Sequence, residues 1–394
     1  MVSRRTTGAL VSGTTALILL LAGCTGAGAP QPVPVPSSSP SPTSETADEA
    51  TAPETLARSF LGAWVEDGRV VRRDQGGDTV SEGQAYGMLA AVIAGDEDAF
   101  DAIWDWTGAQ LRRPDGLLAW RWADGAVVDA EPASDAELDA ARALVLAGER
   151  FGRDDLRADG VALGTTILDL LTTDTALGRV LMPGLWAADS DIVAYNPSYA
   201  SPAAFAILGD ASGDPRWAEL AAGSAAATSA LMASADLPPD WAQIQPDGRV
   251  EPMPGPRGDG QPVQFGFDAQ RTLVRYAESC TPSDRGLAAQ AHPALVYADE
   301  PSARLDLGGG SLTSDRSPLS IVARAASAAA GGDERDATTD LGSAVALSEQ
   351  MPTYYGQAWA MLGSAMLTGD ALGGCAPLDA ASPDASDAAP TSPR

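Results

Sequence analysis

The chain has 394 residues, a formal net charge of −28 and 25 basic residues, every one of them arginine. The lack of lysine removes P-loop, Schiff-base and lysine-nucleophile chemistry, and the acidity argues against nucleic acid and anionic membrane surfaces while leaving neutral or cationic partners open. A single histidine, His292, excludes a His-rich metal site, and no nucleophile motif accompanies it, so neither metal nor cofactor is expected and His292 reads as structural.

In chain order, residues 1–24 read as a lipoprotein signal: Arg4 and Arg5, an apolar run through Leu21, then Leu21-Ala22-Gly23-Cys24, with Cys24 placed to carry the lipid. The apolar run is too short for a spanning helix. Residues 25–50 alternate proline with Ser, Thr and Gly, a composition that prefers extended polyproline geometry. At about 3.1 Å per residue such a stalk holds a domain up to roughly 80 Å from a membrane. Residues 51–376 contain no second linker and read as one domain, while 377–394, rich in Asp, Ala, Ser and Pro, read as a disordered tail.

Inside the domain the pattern is helical almost throughout, with little of the alternation that marks hairpins. Leu56, Phe60, Leu61, Trp64 and Val65 form a first apolar stripe. Ser81 with Gln84 spells a capping box that places Glu82 at the first position of a helix carrying Ala85, Met88, Leu89 and Val92. Asp96 caps the next stripe, Phe100, Ile103, Trp104, Thr107 and Leu111. Ser134 with Glu137 is a second capping box and gives Asp135 the same place as Glu82. Helical segments follow from Asp214, from Asp268 with Arg271 one turn on, and from Thr353, giving an all-α domain of roughly a dozen helices.

The long connections carry conspicuous polar and aromatic residues: 113–133, 189–202 and 246–268. Such loops on a helical scaffold suggest one binding cleft. Three carboxylates at three helix starts, Glu82, Asp135 and Asp268, suit cleavage of a glycosidic bond, which needs one acid for the leaving oxygen and one base for water. Trp120, Trp122, Tyr195 and Tyr199 are candidate flat faces for sugar rings, although an aromatic at helical spacing is more often core. Cys280 and Cys375 are open to pairing or to separate burial.

Several ordered segments from about residue 55 to 375 resemble glycoside hydrolase family 8. "SEGQAYGML" resembles that family's S-E-G-Q-S-Y-G-M segment, which implies Glu82 as general acid and Tyr86 as a site residue. "ASDAELDAARALVLAGERF" is similar to its A-[ST]-D-[AG]-D signature, implying that Asp135 binds the sugar at the cleavage point. "FDAQR" is similar to Y-D-A-x-R, implying Asp268 as general base beside Arg271, with Asp135 the second candidate for that role. "NPSYASP" and "YYGQAW" match further segments and bring Tyr199 and Tyr355 to the cleft. The chain departs from the pattern at Glu137, Ala140 and Phe267, the last removing a hydroxyl usually next to the base.

The resemblance implies an (α/α)6 barrel with an open substrate cleft and an inverting endo-acting mechanism. The expected partner is a β-linked polysaccharide, β-1,4-glucan first, with xylan and chitosan as alternatives. Membrane association is expected through the N-terminal lipid anchor alone, with no nucleic-acid partner and a monomeric state. A non-catalytic polysaccharide-binding lipoprotein on the same fold would be expected to have lost one of Glu82, Asp135 and Asp268, and all three are present.

Overall fold

Alanine- and leucine-rich segments with a 3.6-residue apolar spacing favour helices, and in the computed structural model they form them. The structure describes residues 52–378 except 189, 261 and 297–301. The expected signal with Cys24, the stalk and the tail from 379 onward lie outside the described residues.

The helices are α1 (Pro53–Trp64), α2 (Ser81–Ala94), α3 (Glu97–Gln110), α4 (Ser134–Phe151), α5 (Asp154–Leu170), α6 (Pro202–Ser212), α7 (Arg216–Met232), α8 (Ala269–Ala277), α9 (Pro282–Gln290), α10 (His292–Val296), α11 (Pro318–Ala330), α12 (Glu334–Gln350) and α13 (Tyr354–Thr368). They fall into two kinds. Within α2 every residue but Glu82 is buried, residues 134–148 of α4 are all buried, and so are all nine residues of α8. By contrast α3 buries Phe100, Ile103, Trp104 and Thr107, the single stripe its spacing foretells.

Packing follows chain order. Helix α2 packs on α4, α4 on α6, α6 on α8, α8 on α11 and α11 on α13, and α13 returns to α2. The one-sided helices pack outside these, α1 against α13 and α2, α5 against α4 and α6, α12 against α11 and α13. Small residues let the fully buried helices approach closely.

The two capping boxes do not form. Val80 and Ala133 hold the N-cap positions without side-chain bonds, so Glu82 and Asp135 are second residues of their helices. Gln84 and Glu137 turn instead into buried slots. Gln84 Oε1 accepts from Val70 N at 2.6 Å while its Nε2 donates to Gly68 O and Thr107 Oγ1, and Glu137 Oε1 accepts from Leu118 N at 2.6 Å. A buried helix start has loop amides to satisfy, and those amides capture the residue that would otherwise close the box. Asp96 does cap α3, accepting from Ala99 N at 3.0 Å.

The expectation of almost no strands needs correction at the helix ends. Thr79–Val80, Arg121–Ala123 and Ala126–Asp129 form a three-stranded antiparallel sheet, and Val193–Tyr195, Ala242–Ile244 and Val250–Pro252 another. Two hairpins turn on Asp-Gly pairs with both residues at positive φ, Asp67-Gly68 and Asp124-Gly125, as type I′ turns require. Cys280 and Cys375 are joined in a disulfide with Cα atoms 4.8 Å apart, tying the segment after α13 to the end of α8. His292 Nδ1 lies 3.3 Å from Ser327 Oγ, in keeping with a structural role.

Candidate active site

Arg271 on α8 is 1 % exposed and organises the site. Its Nη1 donates to Glu82 Oε2 at 3.1 Å and to Asp135 Oδ2 at 2.9 Å, and its Nη2 donates to Asp268 Oδ1 at 2.7 Å. The starts of α2 and α4 and the residue before α8 thus meet on one guanidinium. A rigid planar fork suits this, because each arm has a fixed direction. Glu82 and Asp268 bond different arms, which caps the distance between their bonded oxygens at roughly 8 Å.

Further bonds fix each acid. Tyr354 OH donates to Glu82 Oε1 at 3.3 Å. Asn196 Nδ2 donates to Asp268 Oδ2 at 3.2 Å, with Asn196 Oδ1 itself accepting from Ser198 N at 3.0 Å. Three carboxylates share one cation, so the cluster carries excess negative charge and favours proton uptake. Burial pushes Glu82 up to about 7, with Arg271 opposing and Asp135 and Asp268 reinforcing. Burial also raises Asp268 to about 6, again against Arg271, with Asp240 and Asp135 adding to the rise and Asn196 opposing it.

Two cavities meet at Asp268. One of about 460 Å³ is bounded by Arg72, Glu82, Phe267, Asp268, Arg316 and Tyr355. The other, about 360 Å³, has Asp240, Trp241, Phe267, Asp268, Arg304 and Asp315 in its walls. Phe267 and Asp268 belong to both, so a polymer lying across them passes the acids. Among the described residues no group of His, Cys, Asp or Glu is arranged to hold a metal ion.

The aromatic expectations separate. Tyr199 lies over Arg271, with Cζ 5.4 Å from its ring centre, and meets Trp241 at 5.9 Å; Trp241 in turn meets Trp186 at 6.4 Å. Tyr355 packs edge-on to Phe267 at 6.2 Å and donates its hydroxyl to Phe267 O at 3.1 Å. Trp120 is partly buried, and its carbonyl accepts from Ser81 N at 2.9 Å, one residue from Glu82. Three expectations need correction. Tyr86 is fully buried behind the site, edge-on to Trp359 at 5.7 Å with its hydroxyl 3.4 Å from Arg271 Nη1, so it supports the arginine and offers no face to a sugar. Tyr195 is also fully buried, its hydroxyl bonded to Ser224 O and near Thr228. Trp122 is covered by Arg69 at 4.5 Å and by the Trp106 edge at 5.5 Å, and it borders neither cavity.

Residues that sequence reasoning passed over also gather here: Asn196, Asp240, Trp241 and Tyr354. Asn196 and Tyr354 adjoin quoted segments, in "NPSY" and "TYYG". Asp240 and Trp241 sit in "LPPDWAQ", a connection with no periodic signal.

Comparison with known proteins agrees with this geometry. The sequence model of glycosyl hydrolases family 8 matches residues 48–367. A probable endoglucanase of Novacetimonas hansenii is 35% identical over 235 residues, covering 57% of this chain and 68% of that protein. The structure of the endo-beta-1,4-glucanase CMCax from Acetobacter xylinum superposes with a TM-score of 0.67 at 26% identity, over 80% of this chain and 98% of that one. A beta-1,3-1,4-glucanase from Paenibacillus sp. X4 shares the fold with a TM-score of 0.73 at 20% identity, over 82% and 92% of the two chains.

Proposed function

The chain belongs to glycosyl hydrolases family 8, and from that membership we propose that it cleaves internal bonds of β-1,4-glucan by an inverting mechanism, with Glu82 as general acid and Asp268 as general base. As a glycoside hydrolase of the endoglucanase kind, it must protonate a leaving oxygen and activate a water on the opposite face of the sugar. The observation that carries the assignment is the shared guanidinium. It holds Glu82 and Asp268 on separate arms, so the two acids reach one cleft as distinct groups that can take the separate acid and base roles.

The charges support the same division of labour. Of the two acids, Glu82 holds its proton to higher pH, about 7 against about 6. The intermediate protonation state therefore has Glu82 neutral and Asp268 ionised, as the roles require. In the reaction Glu82 gives its proton to the glycosidic oxygen as the bond from that oxygen to the anomeric carbon breaks. Asp268 removes a proton from the water whose oxygen bonds to that carbon from the other side. Asp135 accepts a hydrogen bond from the sugar at the cleavage point, and Tyr355, in the wall of the first cavity, borders the sugar path.

The closed succession α2, α4, α6, α8, α11, α13 with outer helices between supports reading the fold as an (α/α)6 barrel whose open cleft lies at the N-terminal ends of α2, α4 and α8. The experiment is reducing-sugar release from carboxymethylcellulose, xylan, mixed-linkage glucan and chitosan, followed across pH. Carboxymethylcellulose is expected to be cut, with kcat/KM peaking between about pH 6 and about pH 7. Below the peak Asp268 takes up a proton and no base remains; above it Glu82 loses the proton it must give. A flat profile from pH 5 to 9 would overturn the acid–base assignment, and turnover of another polymer alone would move the substrate.

The leader motif supports export, with Cys24 lipid-anchored at the outer face of the cell membrane and the domain monomeric beyond its stalk. The Cys280–Cys375 disulfide suits an oxidising compartment. Fatty-acid labelling of the full chain is expected to disappear in Cys24→Ser, and retained label would refute the anchor.

A further inference from the structure

The loop that delivers Asp268 is held by a second carboxylate from a distant part of the chain. Asp240 Oδ1 accepts two backbone amides, Gly266 N at 2.9 Å and Ala269 N at 2.9 Å, which lie on either side of Phe267-Asp268. Asp240 Oδ2 accepts from Gln264 Nε2 at 2.9 Å, and Asp240 N donates to Gln264 O at 2.9 Å. A Cβ at position 266 would collide with Asp240 Oδ2, so glycine there is what lets the carboxylate lie against the loop.

Ala269 is the first residue of α8, and Asp268 is its N-cap residue without making a side-chain cap bond. An aspartate at this position ordinarily turns its carboxylate back onto the first free amides of its own helix. Here backbone carbonyls already take those amides, Gly266 O accepting from Gln270 N at 3.1 Å and Asp268 O from Arg271 N at 3.0 Å, while Asp240 takes Ala269 N, so both oxygens of Asp268 are left for Arg271, Asn196 and the cleft. We propose that Asp240 is the positioning residue of the reaction: by holding the Gly266 and Ala269 amides it clamps the backbone on either side of Asp268, and it keeps a negative charge behind that carboxylate.

The inference rests on Asp268 being the base. Around Asp268 stand Arg271 from its own helix, Asp135 from α4, Glu82 from α2 and Tyr355 from α13. Arg304 and Asp315 border the second cavity with Asp240, and Arg72 and Arg316 the first. Of the acids, Asp240 stands first in raising Asp268, ahead of Asp135. Asp240 is also the one bound to the loop itself.

The test is the pH dependence of kcat and KM for Asp240→Asn and Asp240→Ala beside Asp268→Asn. In Asp240→Asn the side-chain oxygen still accepts the Gly266 and Ala269 amides, so most of kcat is expected to survive, while the acid limb of kcat/KM moves to lower pH and the basic limb stays with Glu82. Asp240→Ala frees the loop, and a displacement of about 1 Å at the base costs on the order of 10²-fold in kcat, with KM little changed. An acid limb that stays in place in Asp240→Asn overturns the inference, as does Asp240→Ala retaining wild-type kcat. Should Asp268→Asn turn over normally, the base assignment itself fails; should it be inactive while Asp240→Asn leaves the profile unmoved, only the role of Asp240 fails.

Discussion

Glu82→Gln is expected to lower kcat/KM on carboxymethylcellulose by roughly 10²–10⁴-fold, the contribution of a positioned general acid, and to leave KM near its wild-type value. The substitution keeps the shape of the side chain and an oxygen for Tyr354 OH. What it removes is the transferable proton. The Arg271 arm that faced Glu82 retains Asp135 at 2.9 Å, so the cluster does not lose its organiser. Since the basic limb of the pH profile belongs to Glu82 at about 7, whatever activity remains should be flat through that range. Asp268→Asn should match the loss, whereas Asp135→Asn, which removes a charge that raises both acids but neither of the groups that move a proton, should lose less. Activity within tenfold of wild type in Glu82→Gln would dismiss Glu82 as the acid.

The acids were legible in the sequence because each stands beside a helix start, where the change from loop to periodic pattern is a local signal. Their union in one site followed from the family segments and not from any local rule, since the loop and helix carrying Asp268 and Arg271 lie far along the chain from Glu82; that all three share one guanidinium was not legible. The misread capping boxes show the limit of local rules: "SEGQ" has the right residues for a box, but burial of α2 gives Gln84 stronger claims from Val70, Gly68 and Thr107. The hairpins at Asp67-Gly68 and Asp124-Gly125 carried a readable turn signal. They were passed over because strands of two to four residues are too short to show alternation. Tyr86 and Tyr195 went astray for a further reason: an aromatic next to a motif looks the same in sequence whether its ring faces the cleft or the core.

The largest stability effect is expected from the interior that carries this site. Helices α4 and α8 are joined by three ion pairs in constant register: Asp135 with Arg271, Asp139 with Arg275 and Arg142 with Glu278, each separated by 136 residues. On each helix the participants recur at intervals of four and three residues, so one face of α4 reads acid, acid, base and the facing side of α8 base, base, acid. Arg142 and Glu278 are both 0 % exposed and joined twice, at 2.9 and 2.8 Å, and Arg142 Nε also donates to Leu372 O at 3.0 Å. Glu278→Gln leaves an uncompensated guanidinium in the core, which costs about 3–5 kcal/mol. For comparison, the exposed Arg249–Asp247 pair, 64 % and 59 % open to water, should contribute no more than about 1 kcal/mol.

Replacing both members, Arg142→Met with Glu278→Met, removes the buried charges together and should recover most of the loss. A melting-temperature series on Glu278→Gln, on the single variants Arg142→Met and Glu278→Met, and on the double variant separates these outcomes. If Glu278→Gln melts with the wild type, or the double variant is as unstable as the singles, the pair does not act as a unit and the register between α4 and α8 is set by packing alone. If the series behaves as expected, the lower rungs hold the two helices in the alignment that the top rung, Asp135 with Arg271, needs. That top rung shares its arginine with two other acids, while each pair beneath it is joined by two bonds of its own.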